Sequence, residues 1–266
     1  MDYLSRLESE SIYVIREAYN RYSRLAMLWS MGKDSTALLW LVRKAFLGRV
    51  PFPVIHIDTS YKFPEIYSFR DRLSKEFGLD LRIARNDDAL AQGMGPTKID
   101  KFSCCNALKT TALKQAIARM GFEALLLGIR RDEHGVRAKE RYFSPRKQDF
   151  TWSVGDQPPE LWDLYATVDD AAHDRIHPLL HMTELDIWRY TRREGIPVNP
   201  LYLAKDGKRF RSIGCSLCCH PIESNAATVD DIIAELEAST EPERAGRAQD
   251  KENAYTMQKL RSLGYM

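Results

Sequence analysis

The sequence predicts an α/β fold: a doubly wound, mainly parallel five-stranded sheet, followed by an irregular and helical C-terminal extension. Three observations carry this. Short, continuous apolar runs alternate with segments of helical periodicity, the pattern of strands buried on both faces and joined by crossover helices. The first of these runs leads through Ser30-Met31-Gly32-Lys33-Asp34-Ser35 straight into a helix. A chain of 266 residues suffices for one large α/β domain, or for one domain with an appendage.

The elements follow in order. Leu4, Leu7, Ile12, Ile15 and Ala18 recur at helical spacing, so residues 3–22 read as an opening helix. "LAMLW", 25–29, is a short buried strand, and 34–47 a helix with Ala37, Leu38, Leu41, Val42 and Ala45 on its apolar face. "PVIHID", 53–58, is the second strand; Pro64 starts a helix that Gly78 ends. "DLRIA", 80–84, is the third strand, 106–121 a helix closed by Gly121, and "EALLLGI", 123–129, the fourth strand. "DRIHPLL", 174–180, is the fifth, and 183–195 a helix with Thr183 as N-cap and Gly195 as stop. Residues 199–225 read as irregular and 226–239 as a helix, with a charged tail packed over the core. The chain therefore divides into a domain at 1–198 and an extension at 199–266. Right-handed crossovers direct a ligand to the carboxyl ends of the strands.

Composition narrows the classes. Hydrophobic residues make up 44% and charged residues 29%, as in an ordinary soluble protein. Lys plus Arg number 39 and Asp plus Glu 37, so net charge points to no partner. Residues 130–147 are locally basic, with seven basic and three acidic side chains, either a solvated face or an anion-binding wall. No apolar run reaches membrane-spanning length, and the acidic, amphipathic start is not a signal peptide. A cytoplasmic location without membrane partners is expected, where thiols stay reduced and cysteines act as ligands or nucleophiles.

Ser30 to Ser35 is an anion-binding turn. The first N–H groups of the helix that follows have no internal partner and lie at the positive end of its dipole. Lys33 and the hydroxyls of Ser30, Ser35 and Thr36 add donors. Asp34 stands where a P-loop of the G-x-x-x-x-G-K-[ST] kind carries Ser or Thr, so the turn is of another type. It resembles the loop of the PP-loop ATP pyrophosphatases, Ser-Gly-Gly-x-Asp-Ser. That resemblance implies ATP with Mg²⁺, held so that β- and γ-phosphates leave as pyrophosphate and the α-phosphorus is open to an acceptor. Asp34 then favours the helix dipole and holds the turn or helps place Mg²⁺. Met31 replaces the family's first glycine, which demands an ordinary backbone there and leaves close approach to Gly32. Lys33 is expected on a surface loop.

Longer stretches extend the likeness over nearly the whole chain. Residues 52–73, 128–146 and 158–165, with both ends, resemble the small, ATP-cleaving subunit of bacterial ATP sulfurylase (sulfate adenylyltransferase subunit two). The phosphoadenylylsulfate reductases resemble it more distantly. The likeness implies that Asp58 and Thr59, ending the second strand, and Gly128, ending the fourth, border the ribose and adenine. It implies that Arg130 and Arg131 enter the same crevice as catalytic groups with Lys33 and Asp34, because guanidinium forks suit phosphate and sulfate oxygens. Lys62, Arg137, Lys139 and Arg141 would complete the wall.

The five cysteines form two clusters, Cys104-Cys105 and Cys215-Ser216-Leu217-Cys218-Cys219. Two tight clusters with none elsewhere favour a metal site over burial as small hydrophobes. A pair followed far downstream by Cys-x-x-Cys resembles the iron–sulfur pattern of adenylylsulfate reductases. The implied ligands of a [4Fe–4S] cluster are Cys104, Cys105, Cys215 and Cys218, with structural Zn²⁺ as the alternative and Cys219 as a spare. The usual sulfurylase subunit lacks this quartet. The reductases' nucleophilic cysteine near the C-terminus has no counterpart after Cys219, and the sulfurylase insertion after "PLY" is shortened. Three functions compete. The quartet favours an ATP pyrophosphatase of DNA phosphorothioation, activating a DNA backbone phosphate alongside a cysteine desulfurase and other DNA-modification proteins. Whole-chain likeness favours sulfate adenylyltransferase, with a GTPase subunit and sulfate. The third is a reductase-like enzyme or a nucleotide- or redox-sensing module, which the intact loop disfavours. The first is preferred because it accounts for the cysteines.

Overall fold

The central strand, β1 (Leu25–Leu28), is buried at every position. Around it a computed structural model describes residues 1–160, 162, 165, 170–241, 243, 259–260 and 262–264. The other strands are β2 (Val54–Ile57), β3 (Leu81–Ala84), β4 (Ala124–Leu126), β5 (Phe143–Arg146) and β6 (His173–Ile176), in the order β3-β2-β1-β4-β6-β5. All neighbours are parallel except β5, which runs antiparallel to β6 with Pro145 opposite Asp174. Among the described residues the sheet thus has six strands rather than five. The extra strand lies inside the basic run and contains a proline, so neither alternation nor propensity announces it.

The helices are α1 (Tyr3–Arg21), α2 (Lys33–Ala45), α3 (Pro64–Glu76), α4 (Asp87–Ala91), α5 (Lys101–Cys105), α6 (Ala112–Met120), α7 (Glu184–Glu194) and α8 (Val229–Ala238). Their ends follow local chemistry. Asp2 accepts from the Ser5 N–H at 2.8 Å at the start of α1. Thr183 and Asp186 form a reciprocal capping box on α7, and Thr228 and Asp231 one on α8. Gly121 and Gly195 end α6 and α7 with φ of 67° and 64°, as the sequence predicts. The predicted helix at 106–121 begins earlier, at α5, and passes through a π-helical stretch, Asn106–Thr111, before α6. The irregular region holds a small hairpin, β7 (Lys208–Arg209) with β8 (Ile222–Glu223).

Parallel crossovers through α2 and α3 move along the sheet in one direction, and the path through α4 to α6 returns to the opposite side of β1. Right-handed connection puts the two groups on opposite faces. The direction changes between β1 and β4, and that switch point is where an open α/β sheet leaves a crevice at its strand ends. One apolar core, including Met27, Leu38, Leu41, Ile55, Leu125, Ile176 and Trp188, holds the layers together. Truncating a fully buried leucine such as Leu38 costs about 2–5 kcal/mol.

Candidate active site

The turn after β1 is built by its own side chains. The Ser30 N–H donates to Ser35 Oγ at 3.2 Å, the two hydroxyl oxygens are 3.0 Å apart, and Ser35 Oγ reaches the Gly32 carbonyl at 3.2 Å. Met31 corrects the expectation of an ordinary backbone: it is left-handed, with φ of 61°, and wholly buried. A side chain in that region is strained by about 1–2 kcal/mol, and the apolar contacts of the buried methionine offset it. Gly32 is extended, and a methyl there would meet Ser30 Oγ and Tyr202 Oη at 3.3 Å. The first N–H of α2, that of Lys33, donates to Tyr202 Oη at 3.0 Å. Thr36 faces inward instead, its Oγ1 accepting from Trp29 Nε1 at 3.2 Å. Gly128, just past β4, must be glycine because the start of α2 abuts it. A Cβ would lie 2.9 Å from the backbone of Asp34 and Ser35.

An ion network fills the mouth of the turn. Lys33 is buried, not on a surface loop. Its Nζ donates to Asp34 at 3.1 Å and to Glu243, and lies 4.0 Å from Glu184. Arg130, fully buried, donates to Asp34, to Glu243 and, at 2.9 Å, to Asp132. Burial opposes the Arg130 charge, but Glu243, Asp132, Glu133 and Glu184 outweigh it and raise its pKa. For Glu243 burial works against the carboxylate, and Arg130 and then Lys33 more than offset it, leaving the pKa low. Asp34 therefore ties the start of α2 to Arg130 across the sheet's switch point. The acid in this turn keeps two cations in place.

An open cleft lies beyond the turn. Leu28, Trp29, Ile55, Ile57, Leu127 and Ile129 give it an apolar wall, and Ser30, Gly32, Lys33, Asp34, Ser35, Lys62, Lys109, Gly128 and Arg137 line it as well. Of the expected residues, Asp58 sits at the end of β2, accepting from the Ser60 N–H and from Tyr67 Oη, each at 2.8 Å. Burial opposes its ionisation, but these two donors hold the carboxyl below its ordinary value. Arg131 is not brought to the cleft: its guanidinium lies over the Tyr142 ring, 5.2 Å from the centroid. Lys109, Tyr202 and Glu243 are site residues the sequence reading did not name. Lys109 had a signal in retrospect, since a buried lysine on an otherwise apolar helix face needs a reason.

A second, smaller cavity of about 300 Å³ adjoins the cleft. Cys104, Cys105, Cys215 and Cys218 line it, with Thr59, Tyr61 and Leu108, and Lys109 borders both spaces. Two strands of chain more than 100 residues apart are stitched together here. Cys215 pairs with Lys62 in an isolated antiparallel bridge, the Ser216 N–H donates to the Tyr61 carbonyl at 2.8 Å, and Thr59 Oγ1 is 3.2 Å from Cys215 Sγ. Thr59 thus serves the cysteine cavity rather than the cleft. A hydrogen bond from Cys218 holds the Cys215 thiol well below its ordinary pKa, helped by Lys109 and Lys62, and the same bond raises Cys218. Burial, then Cys105 and Cys215, push Cys104 up to about 11. Among the described residues no three His, Cys, Asp or Glu side chains are spaced to hold a single metal ion. None of the five cysteines is in a disulfide, and Cys219 is buried away from the cavity lining. Four thiols around one closed space, with a buried ammonium beside them, fit the donor set of an iron–sulfur cluster. Among the described residues no helix is long and apolar enough to cross a membrane.

Comparison with known proteins bears on this arrangement. Residues 24–221 match the family model described as the phosphoadenosine phosphosulfate reductase domain. Sulfate adenylyltransferase subunit 2 of Alkalilimnicola ehrlichii is 41% identical, over 99% of this chain and 93% of its own. Among solved structures, FMN adenylyltransferase of Candida glabrata in complex with ATP is similar with a TM-score of 0.58 at 17% identity, over 82% of this chain and 63% of that one. The U34-tRNA thiolase NcsA of Methanococcus maripaludis, solved with its [4Fe-4S] cluster, is similar with a TM-score of 0.50 at 16% identity, over 99% and 80%. These two show the fold alone. The match over the whole α/β unit and the full-length identity make this chain an enzyme of the PP-loop type, a member of the phosphoadenosine phosphosulfate reductase domain family that includes sulfate adenylyltransferase subunit 2.

Proposed function

We propose that this protein cleaves ATP between the α- and β-phosphates and transfers the adenylyl group to sulfate, acting with a GTPase subunit. The observation that carries the reading is the identity of about 40% to sulfate adenylyltransferase subunit 2 across essentially the full chain. The geometry supports it. The hydroxyls of Ser30 and Ser35 lie together in the turn, and Lys33 and Arg130 stand at its mouth. The β- and γ-phosphates rest there, and the apolar wall of the cleft takes the adenine. A sulfate oxygen attacks the α-phosphorus, the bond to the bridging β-oxygen breaks, and pyrophosphate leaves with the electron pair. Arg130 and Lys33 stabilise charge on that leaving group. Mg²⁺, when bound with ATP, neutralises phosphate charge, and Asp34 is the acid nearest the turn to hold it.

The test is incubation with α-labelled ATP, Mg²⁺ and sulfate, with and without the GTPase subunit. Adenylylsulfate and pyrophosphate are expected; ADP and phosphate would overturn the reading. A second reading draws on the cysteine cavity: a [4Fe–4S] cluster held by Cys104, Cys105, Cys215 and Cys218 beside an adenylylating cleft suits sulfur transfer to a DNA phosphate, with a cysteine desulfurase as partner. Full-length relatives favour sulfate over this acceptor. Substituting DNA for sulfate in the same assay separates the two. About four iron atoms per chain after anaerobic purification support the cluster; zinc alone supports a structural ion. Five cysteines outside any disulfide suit a cytoplasmic enzyme.

A further inference from the structure

We infer that the carboxylate of Glu243 occupies the phosphate subsite and competes with the pyrophosphoryl end of the nucleotide for Lys33 and Arg130. The inference rests on the reading that phosphate binds at the Ser30–Ser35 turn. Its basis is a local count of charge. Lys33 and Arg130 already have two resident acids, Asp34 from α2 and Asp132 from the segment after β4. Asp132 is fixed further by the Glu184 N–H, which donates to it at 2.7 Å, and Glu184 holds Arg211 at 2.8 Å. Glu133 is engaged with Arg137. The two cations are thus balanced by acids belonging to the α/β unit.

Glu243 is the supernumerary acid. It comes from beyond α8, its side chain is 5% exposed, and it lines the cleft. It pairs with Lys33 Nζ through one oxygen and with the Arg130 guanidinium through the other. Two charge-assisted bonds to one anionic group are what a phosphate oxygen pair would make in the same place. Arg211 donates to the Glu241 carbonyl at 2.9 Å, which tethers the segment two residues upstream and keeps the carboxylate within reach. A polyphosphate cannot take Lys33 and Arg130 while Glu243 holds both. The apparent affinity is therefore reduced by the fraction of molecules in which the carboxylate is seated.

Binding of inorganic pyrophosphate, measured by calorimetry, tests this. Glu243→Gln keeps the shape and removes the charge, and is expected to tighten binding about tenfold or more. Glu237→Gln removes the same charge from a surface pair with Arg189 and is expected to change binding less than about twofold. Unchanged or weaker binding by Glu243→Gln would overturn the inference. Lys33→Ala separates the two levels. If it leaves pyrophosphate binding intact, the phosphate-turn reading fails. If it abolishes binding while Glu243→Gln does not tighten it, only the competition fails.

Discussion

The cleft and the cysteine cavity share a wall at Lys109 but are assembled in opposite ways. The floor of the cleft is local in sequence. One strand, one turn and one helix within residues 25–45 supply it, and the cations of the cleft are held by several carboxylates. The cavity is non-local. Cys104 and Cys105 end one helix, Cys215 and Cys218 bracket a short turn more than 100 residues later, and the Ser216 N–H, donating to the Tyr61 carbonyl, ties that turn to the segment after β2. The cleft is built of compensated charge; the cavity is built of soft, weakly polar sulfur. Disturbing a charge should therefore be felt far more strongly than disturbing a single contact around the thiols.

The largest effect is expected from Lys33→Ala. Loss of a cation positioned for the leaving group should lower the rate of AMP or adenylylsulfate formation by about 10³-fold, or about 4 kcal/mol. The same change leaves Glu243 and Asp34 with less compensation, so unfolding free energy in urea should fall by roughly 3 kcal/mol. Gly128→Val comes next. Its Cβ has only the backbone of α2 to push against, so about 1–3 kcal/mol of stability is expected to go, and turnover with it. A rigid-loop mutant with full activity would break the picture of a floor made of abutting backbones.

Acid acts on the buried histidines. Burial, then Lys62, pull His56 down to about 3, and burial holds His173 and His177 well below 6.5. Each binds a proton more readily when unfolded. Their contribution is therefore complete above about pH 7 and is lost as pH falls through 6.5, with a limiting slope of about 1.4 kcal/mol per pH unit for each. Urea midpoints at pH 7.5 and 5.5 should show the fall, and His56→Gln should reduce its slope. The smallest effect is reserved for the cavity: Thr59→Val removes one hydroxyl from Cys215 Sγ and should cost about 1 kcal/mol in the same urea experiment. A loss as large as that of Lys33→Ala would erase the contrast between the two regions.

Much of this was legible from residues alone. The alternation of buried runs and amphipathic segments located five of the six sheet strands and the principal helices, because burial on both faces leaves a simple pattern. The turn at Ser30–Ser35 was legible because its chemistry is contiguous. The cysteine quartet was legible as a grouping because cysteines occur nowhere else in the chain. What escaped depends on distant partners. β5 is a strand because β6 offers it an edge, not because "FSPR" favours one. Met31 adopts its left-handed turn because tertiary packing holds its side chain. Arg131 turns to Tyr142, and Glu243 arrives from the far end of the chain. Periodicity carries no trace of such encounters.

The two outer strands of the sheet also bear on edge-to-edge pairing with other chains. At one margin Pro145 lacks an N–H, and its strand is covered at every position. At the other, Arg82 stands solvated beside Asp80, with Ile83 partly bare. Proline and charge both discourage a foreign strand from annealing there. Replacing Arg82 with a β-branched apolar residue would leave the fold untouched and invite aggregation along that single margin.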